Sequence, residues 1–127
     1  MTKARIAVVL IGILLPYLSR LPHGIPWLEQ YTDTGIGGFL FFGAFNAIAW
    51  ISIVAISFLY RRPASLLAPC LLGFGYLAWA HYSLDLASDA QAAIALIFIP
   101  IYSLLPIVIG GVIGYVFDRR SRRYDAT

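Results

Sequence analysis

His81, Asp85 and Asp89 follow one another at intervals of four residues. That spacing puts side chains on one face of a helix, provided the helix runs on past Tyr82. An imidazole with two carboxylates suits a metal ion or a titrating proton site. His23, Glu29 and Asp33 come from another loop expected at the same mouth. His23, His81, Asp85 and Asp89 are therefore the candidate ligands, for a metal or another small species. A haem held by His23 and His81 would need both residues at one boundary. The competing reading is a solvated acidic rim. Ser88 and Gln91 fit a capping box with Asp89 in the first helical turn, which explains Asp89 structurally.

Asn46 lies within a long apolar run, where an unsatisfied amide is costly. It is expected either to bond across to a neighbouring helix or to line a path for an ion or solute. The apolar runs carry no Asp, Glu, Lys, Arg or His at mid-depth, unlike proton-coupled transporters. C-x-x-C, H-E-x-x-H, G-x-S-x-G and P-loop patterns are missing, so neither an enzyme nor a cofactor is expected. The single cysteine, Cys70, sits inside an apolar run and reads as a small core residue.

The elements that would position these groups follow from composition. Of 127 residues, 61% are hydrophobic and 12% charged. Soluble domains average about 45–50% and about 25%. A soluble chain this short could not bury so much apolar surface, so lipid is the expected solvent. Apolar stretches at residues 4–21, 37–60, 64–82 and 90–117 predict helices. They would be about 27, 36, 28 and 42 Å long, against a hydrocarbon core of about 30 Å. Pro100 and Pro106 are candidate kink points in the last. Period-two alternation is absent, which argues against a membrane β-barrel. Lys3 and Arg5 before the apolar run 6–15 resemble the start of a secretory signal. Residues 16–20 offer no small-residue cleavage pattern, so a retained helix is expected.

Lys3, Arg5, Arg61, Arg62, Arg119, Arg120, Arg122 and Arg123 would share one side of the bilayer, leaving Arg20 alone on the other. The asymmetry predicts that the basic side is cytoplasmic. Arg5 and Arg20 are expected to snorkel from the ends of the first helix. The net charge of +3 marks topology rather than nucleic-acid binding, since no basic face or stacking platform accompanies it. In the first external loop, Pro26 suits the first position of a short helix carrying Trp27, Leu28 and Tyr31, lying along the outer membrane surface or folding back over the bundle; the competing reading is an ordinary anchored loop.

Lipid does not drive helices together, so small residues matter. Gly110 and Gly114 form a G-x-x-x-G pair; Gly73 and Ala80 share a stripe with Pro69 and Tyr76; Gly43 and Ala47 are four apart. These residues and Asn46 are expected to hold the bundle together or to dock a partner.

The expectation is an all-α integral membrane protein, with residues 1–127 forming one four-transmembrane-helix bundle. Both termini would face the cytoplasm (N-in/C-in), in a bacterial cytoplasmic (inner) membrane. The expected role is non-catalytic binding of another membrane protein, as an accessory subunit or a toxin-immunity protein. The alternatives are a small oligomeric channel or transporter and an outer-face sensor or metal-binding protein.

Overall fold

The computed structural model describes residues 1–33, 35–86 and 92–126. Helix α1 spans Thr2–Leu18, α2 spans Ile25–Thr32, α3 spans Gly35–Ser57, α4 spans Leu67–Ser83 and α5 spans Ala92–Ala126. Short 3-10 turns at Leu21–His23 and Pro63–Leu66 lead into α2 and α4. No strand occurs among the described residues. The segments Thr2–His23, Gly35–Ser57, Pro63–Ser83 and Ile94–Ser121 have mean hydropathies of 1.7, 2.2, 1.4 and 2.4 and are long enough to cross a membrane.

The four long helices form a ring in the order α1, α3, α5, α4, with α1 against α3 and α4, and α5 against the same two. Ile53, Leu77, Ile99 and Ile107 fill the centre with Val8 and Phe74. Ile36, Leu40, Phe58, Leu71 and Leu105 cover the outside and are exposed. Apolar residues all round a helix are what a lipid-facing bundle needs and what water penalises.

Small residues set a close seam between α4 and α5. A Cβ on Gly110 would lie 2.6 Å from both the Ala68 carbonyl oxygen and the Pro69 Cα, so only glycine permits this approach. A Cβ on Gly73 would meet Ile107, and one on Gly114 would meet the Ser65 carbonyl and the Tyr60 hydroxyl. Ala80 is buried in the same core. Gly43 differs, because nothing lies within 4 Å of its Cβ position. Ala47 is half-buried on the same helix. Gly110→Ala is therefore expected to push α4 from α5 and cost about 1–3 kcal/mol. Gly43→Ala should leave stability within about 0.5 kcal/mol. Thermal unfolding of both variants in detergent checks the pair, and equal effects would contradict this packing.

Several boundaries differ from the sequence expectation. Helix α4 ends at Ser83, where Leu84 turns extended (φ −80°, ψ 119°). Asp85 therefore lies beyond the helix, and the continuous His81–Asp85 face does not form. Asp89 and the capping box at 88–91 fall outside the described residues. Helix α5 runs through Pro100 and Pro106 without interruption and continues past residue 117 to Ala126. Helix α1 stops at Leu18, and α3 stops at Ser57, short of the expected 21 and 60.

Candidate functional site

At the α2 end of the bundle the organising group is Arg20, which is fully buried (0% exposed) rather than snorkelling. Gly24, just beyond it, has φ +95°, a left-handed value that glycine adopts readily. This turns the chain so that α2 lies back over Arg20. The guanidinium Nε donates to the Trp27 carbonyl at 2.8 Å. Nη1 donates to the carbonyls of His81 (2.8 Å) and Leu84 (2.5 Å), and Nη2 donates to Gln30 Oε1 (2.6 Å). Two of these acceptors close the C-terminus of α4, where unpaired carbonyls and the negative end of the helix dipole favour a cation. The guanidinium also lies 4.0 Å from the Tyr31 ring centroid and 4.6 Å from that of Trp27.

Gln30 extends the network. Its Oε1 also accepts from the Leu86 amide at 3.0 Å, and its Nε2 donates to Asp85 Oδ1 at 3.1 Å. Asp85 is thus linked to Arg20 through one carboxamide. The Tyr31 hydroxyl donates to His81 Nδ1 at 2.8 Å in the tautomer that carries its proton on Nε2. Burial pushes the Tyr31 phenol well above its ordinary pKa, against the opposing pull of Arg20, so it remains a hydroxyl. Tyr31 and Gln30 also wall a cavity of about 380 Å³ between α3 and α5, shared with Phe41, Phe42, Phe45 and Ile97. Their polar atoms in that wall are already bonded, so the cavity presents mainly hydrocarbon.

Of the candidate ligands, the three that are described, His23, His81 and Asp85, are held apart by this arrangement. His81 is buried against Tyr31 and Phe42. His23 is exposed and stacks on both Trp27 and Tyr82, with ring centroids 4.1 Å apart in each case. Asp85 faces Gln30. Among the described residues, no three His, Cys, Asp or Glu side chains converge as metal ligands. Asn46 is buried, and its Nδ2 donates to the Gly12 carbonyl of α1 at 2.7 Å.

The opposite end is organised by an acid. Asp118 of α5 is fully buried, and its carboxylate accepts from the Arg61 amide (3.1 Å), the Arg62 amide (3.0 Å) and the Ser65 hydroxyl (2.8 Å). It thereby fixes the turn between α3 and α4. Tyr60 donates to the Gly111 carbonyl at 2.6 Å. Burial, aided by the nearby Asp118 charge, pushes the Tyr60 phenol up to about 12. Arg5 Nε donates to Ser57 Oγ at 2.7 Å, and its guanidinium covers the Phe58 ring at 3.9 Å. Arg119 reaches the Tyr115 hydroxyl at 3.3 Å, and Arg120 is exposed. The side chains of Arg122 and Arg123 lie outside the described set.

Sequence reasoning treated Arg20 as a boundary charge and did not single out Gln30 or Asp118. The available signal was position: Arg20 is the lone cation at its end, and Asp118 is an acid directly before Arg119 and Arg120. Compared with models of known protein families, with curated proteins and with solved structures, the chain matches none.

Proposed function

We propose that this chain is an integral membrane protein that binds another membrane protein through the surface built on Arg20, without catalysis. The observation that carries the reading is the stack of His23 on Trp27 and Tyr82, joining α2 to the end of α4. Rigid aromatic groups on a fixed backbone lose little entropy on binding, and tyrosine and tryptophan dominate interface energetics. An aromatic anchor in the lipid interface would need neither the stack nor a buried guanidinium beneath it.

In this reading the α2 end faces away from the cytoplasm, and both termini are cytoplasmic. The basic residues at the start of α1, the α3–α4 turn and the end of α5 support that orientation. The membrane is a bacterial cytoplasmic (inner) membrane, and the partner is a membrane protein for which this chain serves as an accessory subunit or immunity protein.

Tyr82→Ala is expected to weaken the complex by about 2 kcal/mol, roughly 30-fold in Kd, while leaving the bundle folded. Tyr82 is 42% exposed, so its removal opens no core cavity. The check is recovery of the partner on purification in mild detergent, beside the lipid-facing control Leu105→Ala. Equal recovery from both variants would count against the aromatic surface, and a homo-oligomer without a foreign subunit would favour the channel reading.

A further inference from the structure

The seam between α1 and α3 holds two polar atoms without partners among the described residues. They are the Tyr17 hydroxyl and Asn46 Oδ1, both buried. Asn46 is only 3% exposed, and its amide nitrogen is already committed to Gly12. The Tyr17 ring is stacked on Phe39 and set edge-on to Phe42, which fixes the hydroxyl in place. Tyr17 and Asn46 wall one cavity of about 20 Å³, together with Ile13, Phe39, Phe42 and Gly43.

A buried water needs about 10–15 Å³ of such space and two or more polar partners. We infer that this cavity is a binding site for one water molecule, which bridges the Tyr17 hydroxyl and Asn46 Oδ1. The water donates to the amide oxygen and exchanges a hydrogen bond with the phenol. A metal cation is disfavoured by the donor set, because two neutral oxygens fall well short of the six to eight that a hard cation such as calcium takes. The bridge ties α1 to α3 beside the Asn46 bond to Gly12. The site stands independently of the partner-binding reading.

Tyr17→Phe tests the site by the sign of its effect. It keeps the aromatic stack and removes only the hydroxyl. A bridged hydroxyl contributes stability, so its loss should lower Tm by about 3–6 °C in lipid nanodiscs. An unpartnered hydroxyl is a burden, so its loss would leave Tm unchanged or raise it, which would overturn the site. Water-edited solid-state NMR in bilayers supplies the direct reading. Magnetisation should pass from water to the Asn46 side-chain amide in the parent protein and weaken in Tyr17→Phe. No transfer in the parent protein would overturn the proposal even if Tm fell. A Tm that changes when choline replaces sodium would also overturn it, in favour of a cation.

Discussion

Arg20→Ala is expected to destabilise the folded chain by about 3–5 kcal/mol, the scale for removing one member of a buried, hydrogen-bonded charge network. The effect is large because one side chain closes three things together. It satisfies the Trp27 carbonyl of α2, the His81 and Leu84 carbonyls at the end of α4, and the Gln30 oxygen that also receives the Leu86 amide. Alanine leaves these acceptors buried and cuts the electrostatic link toward Asp85. Lysine keeps the charge but offers three donors from a point, so it cannot reproduce the planar fork. Arg20→Lys should therefore fall between the parent and alanine. Thermal unfolding in detergent ranks the three proteins. Hydrogen exchange should show α2 opening in Arg20→Ala while α5 stays protected. A stability unchanged within about 0.5 kcal/mol would show that Arg20 does not hold this end together.

Asp118→Ala is the counterpart at the other end. The carboxylate receives two backbone amides and one hydroxyl, all from the connection between α3 and α4. Of these donors the Ser65 hydroxyl is buried and the two amides are partly buried, and a buried donor left without a partner costs about 1–3 kcal/mol. The total should thus approach that of Arg20→Ala, with exchange of the Arg61 and Arg62 amides rising first. Asp118→Asn retains one acceptor oxygen and should recover part of the loss. The Tyr60 bond to Gly111 persists in both variants, because burial still raises the phenol's pKa once the Asp118 charge is gone and the hydroxyl stays protonated across the physiological range. If the Arg61 and Arg62 amides exchanged at the parent rate, the carboxylate would not be the clamp described here.

These two residues also mark the limit of what the sequence disclosed. The long apolar runs were legible because lipid imposes one pattern on any spanning helix, about twenty apolar residues with satisfied backbone. Pro26 was a partial signal for α2, since proline suits a first turn, but an ordinary loop fits the same residues equally well and the helix is settled only by its packing over Arg20. The end of α4 was not legible. Nothing between Tyr82 and Asp85 is a strong helix breaker, and the stop depends on Arg20, sixty-one residues before His81, binding the last carbonyls. The roles of Arg20 and Asp118 were hidden for the same reason. A lone charge beside an apolar run reads as a boundary signal unless its distant acceptors or donors are known. His81 looked like a ligand because its sequence neighbours are acidic, whereas its partner in space is Tyr31, fifty residues away.

We propose that a partner membrane protein binds the Arg20-locked aromatic surface, and crosslinking from that surface reads this out. A photo-crosslinking phenylalanine derivative, which keeps an aromatic ring, is placed at position 82, and another at the lipid-facing position 105, in the protein expressed in its own membrane. Mass spectrometry then identifies the adducts. One foreign membrane protein is expected to crosslink from position 82, to be absent from position 105 and to be lost when Arg20→Ala is added. Adducts to lipid alone from both positions, or a foreign protein captured equally with and without Arg20, would contradict it.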